Sequence, residues 1–135
     1  MSAPNAIQVE DLSLSYDGSQ TVLSAINLTV SQGEFVSLVG PSGCGKTTLL
    51  NLAAGLVRHQ GPGRITLGGS NPVQGHPRVG YMLARDSLLP WKSALENAMF
   101  GMQVRGVSRT EAQSRAREML HEVGLAGFEM ALPKA

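Results

Sequence analysis

Eight consecutive residues, Gly40-Pro41-Ser42-Gly43-Cys44-Gly45-Lys46-Thr47, spell G-x-x-x-x-G-K-[ST] with every position filled. No other feature of the chain narrows its fold so far. Phe35-Val36-Ser37-Leu38-Val39, just ahead, reads as a buried strand, and Thr47 to Ala54, just behind, reads as a helix. Strand, glycine loop and helix together make an anion site. Glycines let the backbone close on a polyanion, because no Cβ blocks the approach and φ is free to turn positive. The amides from about Ser42 to Thr48 then point inward as a nest. The first helical turn adds unpaired N–H donors and the positive end of its dipole. Lys46 brings a cation to the outer phosphates, the Thr47 hydroxyl reaches Mg²⁺, and Thr48 adds one more hydroxyl. The pattern implies a nucleoside triphosphate and Mg²⁺ held by Ser42, Gly43, Cys44, Gly45, Lys46, Thr47 and Thr48.

Composition removes several other function classes. The 135 residues suffice for one domain with a modest core. A formal charge of +1 gives no electrostatic case for nucleic acid. No apolar run approaches the roughly eighteen residues that cross a bilayer, and Met1 to Glu10 lacks a secretory pattern. The expected compartment is the cytosol. A single cysteine excludes an intrachain disulfide. That residue, Cys44, lies in the glycine loop, where a helix N-terminus and Lys46 both favour thiol reactivity; the plainer reading is a small residue in a variable slot. His59, His76 and His121 show no metal-ligand spacing and read as surface residues.

Along the chain, Ile7 and Val9, then Leu12, Leu14 and Tyr16, suggest a strand pair or one bent strand. Asp17-Gly18 signals a turn. Val22-Leu23 and Ile26-Leu28-Val30 return as a second strand, and Ser31-Gln32-Gly33 turns into residues 35–39. Arg64 to Leu67 and Val79 to Leu83 are further strand candidates. Ser93 with Glu96, and Ser108 with Glu111, are capping boxes that open two helices. Leu95, Ala98, Met99 and Met102 line the first helix. Ala112, Ala116, Met119, Leu120 and Val123 line the second.

This order of features resembles the nucleotide-binding subunit of ATP-binding-cassette (ABC) transporters, from about residue 7 to the C-terminus. Leu14-Ser15-Tyr16 looks like that family's adenine-contacting aromatic loop. Val39 to Thr48 matches its phosphate loop nearly letter for letter. Val79-Gly80-Tyr81-Met82-Leu83 with Asp86-Ser87-Leu88-Leu89-Pro90-Trp91 is similar to its Q-loop region, and Leu-Leu-Pro-Trp most resembles the nitrate, sulfonate and taurine import branch. The resemblance implies an α/β P-loop NTPase fold with an N-terminal antiparallel β subdomain, truncated before the signature motif and Walker B strand. It divides residues 1–135 into an antiparallel opening (about 7–33), a P-loop core (34–83), and a Q-loop region with the start of a helical subdomain (84–135). It implies an ATP-binding subunit that couples ATP binding and hydrolysis to uptake of a small anion such as nitrate, a sulfonate or taurine. The implied setting is the cytoplasmic membrane face, with a second ATPase subunit as homodimer partner and permease subunits docking on Leu88 to Met102 through Trp91 and Phe100. Tyr16 would stack on adenine, and Thr47 would be the protein ligand to Mg²⁺.

Two departures qualify the resemblance. Ala84 stands where the family has the Gln that reaches Mg²⁺ and the attacking water. The sequence ends at Ala135, ahead of where the Leu-Ser-Gly-Gly signature, the Walker B acids and the catalytic glutamate would stand. No catalytic base is therefore assigned, and residues 1–135 alone are expected to be unstable and to hydrolyse little ATP. A non-catalytic nucleotide-binding or interaction module from a truncated gene stays open as an alternative. A small-molecule kinase of the same loop class fits less well with the antiparallel opening and Leu-Leu-Pro-Trp.

Overall fold

The alternation of apolar residues in the first strand breaks phase once, between Val9 and Leu12, and that break shapes the N-terminal sheet. The computed structural model describes residues 5–16, 20–83 and 87–133. Strand β1 (Ile7–Ser15) is one strand, not two, and buries Val9, Leu12 and Leu14. Inward positions at 9 and then 12 require an extra residue, and Asp11 supplies it as a bulge with φ 44. The left-handed backbone is costly for a non-glycine residue. Asn27 offsets this by accepting from the Asp11 amide at 3.0 Å and donating to the Asp11 carboxylate at 2.9 Å. Strand β2 (Thr21–Val30) answers with its own break at Ala25, φ 46, whose amide donates to the Ser13 hydroxyl. Leu14 opposite Leu23 and Leu12 opposite Ile26 keep the apolar face continuous across both breaks.

Strand β3 (Arg64–Leu67) pairs antiparallel with β1, giving the order β2-β1-β3. Gly63, φ +84, seats β3 against the bulge; a Cβ there would overlap the Asp11 backbone. Glu10 and Arg64 pair across the strands at 2.6 Å. Both are exposed, so solvent screens the attraction. The bond from Arg64 holds the Glu10 carboxyl below its usual range. Helix α1 (Lys46–Ala53) lays Leu49 and Leu52 on the sheet, completing a core with Val9, Leu12, Leu14, Leu23 and Ile65.

Two expected strands are not formed. Residues 35–39 form no strand: no described strand lies beside them to take their backbone hydrogen bonds, and a strand becomes sheet only against a partner. Leu38 still packs on the core, whereas Phe35 and Val39 are 94% and 91% exposed. Residues 79–83 likewise form no strand; the Val79 amide closes a turn onto the His76 carbonyl, and Met82 and Leu83 are exposed. The Asp17-Gly18 turn signal lies outside the described residues.

The chain divides into two compact units, Met1–Gly80 and Tyr81–Ala135. The second is built on helices α2 (Ala94–Val104) and α3 (Arg109–Glu122). Ala112 and Ala116, both fully buried, let α3 approach closely, and Leu95, Met99 and Leu120 fill the seam. Met119 and Val123 face outward, contrary to the stripe expected from spacing. Ser93 and Glu96 form the full capping box, and the Ser93 amide holds the Glu96 carboxyl below its usual range. Ser108 caps α3 from the Glu111 amide alone, the Glu111 carboxylate turning instead to Arg115 at 2.5 Å.

Asn97 ties the preceding loop to α2. Its Nδ2 donates to the carbonyls of Leu89, Lys92 and Ser93, and its Oδ1 accepts from the Leu89 amide at 2.8 Å. Replacing Asn97 with alanine removes these bonds together. The expected cost is about 2 kcal/mol, with the Leu89 amide losing its acceptor while the Leu89 carbonyl keeps the Lys92 amide. Trp91, the sole tryptophan, reports the change: its fluorescence anisotropy should fall in Asn97→Ala at temperatures where helicity is unchanged.

Candidate functional site

Gly40 to Thr47 runs from residues 35–39 into α1, so the loop leads directly into a helix N-terminus. Two glycines set its path. Gly43 has φ 80 and Gly45, the residue preceding α1, has φ 95. Gly45 is also pressed onto β2: a Cβ there would stand 2.8 Å from Leu23 Cδ2 and 2.9 Å from the Val22 carbonyl oxygen. Backbone conformation and space both select glycine at this point. The Leu49 amide donates to the Gly45 carbonyl at 2.9 Å and begins the helical ladder. The first-turn amides before it are left without intrahelical acceptors.

Lys46 folds back over the loop. Its Nζ donates to the carbonyls of Gly40 at 2.8 Å and Pro41 at 2.6 Å, and lies 3.4 Å from Cys44 Sγ. The ammonium thus balances carbonyl oxygens turned toward it and stays at the loop's edge. Ser42, Cys44 and Thr47 are exposed, and Thr48 is half-buried. A cavity of about 310 Å³ borders Cys44, Gly45 and Lys46, with Leu23, Ile26 and Leu38 among its apolar walls. Among the described residues its lining holds one cation and no carboxylate.

Tyr16 follows the end of β1 and is 64% exposed. Ser15 pairs with Thr21, and Gly45 rests on Val22 and Leu23. The hairpin end that carries Tyr16 therefore lies beside the loop. Ala84 and its neighbours Arg85 and Asp86 lie outside the described residues. In the second unit, Trp91 is 72% exposed and Phe100 is half-exposed, with Lys92 Nζ 6.0 Å from the Phe100 ring centre. Among the described residues no helix is long and apolar enough to cross a membrane.

Three features of the folded chain carry no sequence signal. The Val22–Leu23 seat for Gly45 carries no local signal, since it is a contact between residues over twenty positions apart. The parked position of Lys46 depends on carbonyl directions that only the folded loop defines. His59 is not a plain surface residue: both ring nitrogens are buried without a hydrogen-bond partner among the described residues.

The model of the ABC transporter family matches residues 23–134, taking in the loop and both helices of the second unit. A taurine import ATP-binding protein (TauB) of Pseudomonas entomophila is 47% identical over 124 residues, covering 90% of this chain and 47% of that protein. The TauB of Escherichia coli O157:H7 is 42% identical over 123 residues, covering 91% of this chain and 48% of its own length. The uncharacterized ABC transporter ATP-binding protein YtlC of Bacillus subtilis is 40% identical over 114 residues, covering 84% and 44% respectively. The chain spans about half the length of the curated relatives it matches. With its glycine loop and all three helices lying within so broad a match, the chain belongs to the ABC transporter family.

Proposed function

We propose that this chain is the nucleotide-binding portion of the ATP-binding subunit of an importer for a small anion, taurine or a related sulfonate foremost. The observation that carries the reading is the glycine loop pressed on β2, with Lys46 held at its mouth. The relatives named for taurine import supply the solute class. In this reading the amides of Ser42, Gly43, Cys44, Gly45, Lys46, Thr47 and Thr48 wrap the phosphates. Lys46 leaves its carbonyl partners for phosphate oxygens. Thr47 offers its exposed hydroxyl to Mg²⁺, which when bound neutralises phosphate charge. Tyr16 presents its exposed face to adenine, a stack worth about 1–3 kcal/mol. The loop positions the nucleotide; among the described residues its cavity lining offers no carboxylate to orient an attacking water, so residues 1–135 alone are expected to turn over little ATP.

Exposed Cys44 gives a direct test. With MgATP at about ten times its Kd, maleimide labelling of Cys44 should slow about tenfold, following occupancy. Equal rates with and without nucleotide would remove the phosphates from this loop.

The same reading has the subunit working at the cytoplasmic membrane face, as one of a pair, with permease subunits docking on Leu88 to Met102. Support comes from Trp91, held in an exposed loop by Asn97. Exposed aromatics of this kind anchor interfaces. Trp91→Ala should lower stimulation of ATPase by the permease about tenfold, some 1–2 kcal/mol of docking energy, and leave MgATP affinity intact. Loss of both together would make Trp91 a structural residue.

A further inference from the structure

The first-turn amides of α2 are all bonded, and two of their acceptors come from the chain that follows α3. The Ala94 amide donates to the Ala131 carbonyl at 2.8 Å and the Leu95 amide to the Glu129 carbonyl at 2.9 Å. The Glu96 amide donates to Ser93 Oγ, and the Asn97 amide to the Ser93 carbonyl at 2.9 Å. A helix N-terminus leaves its first donors without intrahelical partners; here residues 125–131 fold back to serve two of them. Gly124 and Gly127, at φ 77 and 86, turn that segment. The Phe128 and Ala131 amides close turns onto the Leu125 and Phe128 carbonyls. The Glu129 carboxylate accepts from its own amide and from that of Gly127, which holds it below its usual range. Among the described residues, none of 125–131 joins the apolar seam between α2 and α3, and Phe128 and Met130 are exposed. Main-chain bonds therefore fasten the segment.

The same turn of α2 holds the loop that carries Trp91. The Ser93–Ala94 peptide is gripped at both ends, its carbonyl by Asn97 Nδ2 and its N–H by Ala131. The peptide before it has its Lys92 carbonyl on Asn97 Nδ2 and its Ser93 amide on the Glu96 carboxylate. Trp91 comes immediately before, and the Leu89 amide and carbonyl also rest on Asn97. We infer that residues 125–131 are a strap that positions the Trp91 loop, with Glu129 and Ala131 as the positioning residues, acting through their carbonyls. The consequence for a permease rests on the docking function proposed for Trp91. A partner that docks on the loop as held tightens the strap, and loosening the strap weakens docking by the same factor.

Ala94→Pro removes one donor and little else. Proline suits the first helical position, and Ser93, at φ −66 and ψ 168, already has the backbone that precedes proline. Ala94→Ser keeps the N–H. Gly127→Ala strains the strap from its other end, since φ is positive there and an added Cβ meets no atom within 4 Å. Hydrogen exchange followed by NMR should show the Leu95 and Leu89 amides about fivefold faster in Ala94→Pro and in Gly127→Ala. Trp91 anisotropy should fall in both, and the Ala112 amide of α3 should exchange as in the parent. Ala94→Ser should match the parent throughout. Permease affinity should fall about fivefold in Gly127→Ala, which lies outside the docking segment, while MgATP affinity holds. Leu89 exchange and Trp91 anisotropy at parental values in both Ala94→Pro and Gly127→Ala would overturn the strap, as would an equal effect in Ala94→Ser. Faster amides together with a Trp91→Ala that leaves permease stimulation intact would instead remove the docking function and leave the strap standing.

Discussion

Lys46→Ala should lower MgATP affinity by at least about a hundredfold, near 3 kcal/mol, because it deletes the charge-assisted bonds to the outer phosphates that the proposed function assigns to it. Equilibrium dialysis reads this directly. Stability should scarcely change. The Lys46 bonds to the Gly40 and Pro41 carbonyls are made at an exposed loop, where water replaces them readily. Lys46→Arg should recover only part of the affinity, since a planar fork does not fit where a point charge is needed. An affinity within about threefold of the parent in Lys46→Ala would separate this loop from the triphosphate and withdraw the proposed function.

The second large effect is on folding. Gly63→Ala should destabilise the first unit by about 3 kcal/mol or more, combining a strained positive φ with overlap at a main-chain neighbour. The Asp11 backbone that a Cβ would meet is already fixed by Asn27, so it has little room to retreat. Thermal unfolding followed by circular dichroism measures the loss. Asn27→Ala provides the comparison: it should cost less alone and should ease Gly63→Ala by freeing the bulge, a coupling that a double-mutant cycle resolves. Additive costs would mean that Gly63 and the bulge act independently.

The sequence makes legible what is local. The loop motif, α1, the antiparallel opening, β3 and both helix N-caps follow from spacing, glycines and capping residues within a few positions of each other. Even the phase break at Asp11 is visible as Val9 followed by Leu12; what it does not reveal is whether the chain bulges or turns, because that depends on Asn27 sixteen residues away. Residues 35–39 and 79–83 were expected to be strands on composition, and composition describes the side chains of a strand while leaving its partner unspecified. Met119 and Val123 continue the helical period of α3, yet the narrow contact made through Ala112 and Ala116 does not reach them. The site divides in the same way. Its residue types are legible, whereas the seat of Gly45 and the resting place of Lys46 are properties of the folded chain.

That resting place sets a threshold. An incoming anion gains the full strength of Lys46 only by drawing the ammonium off two carbonyl oxygens at 2.8 and 2.6 Å. A singly charged ion such as chloride or bicarbonate recovers little of what that release costs. On the proposed function, a chain of phosphates would reach the amides first and offer the lysine several oxygens in exchange. The resting loop would thereby be its own competitor, quiet toward singly charged anions and responsive to a ligand with charge at more than one point.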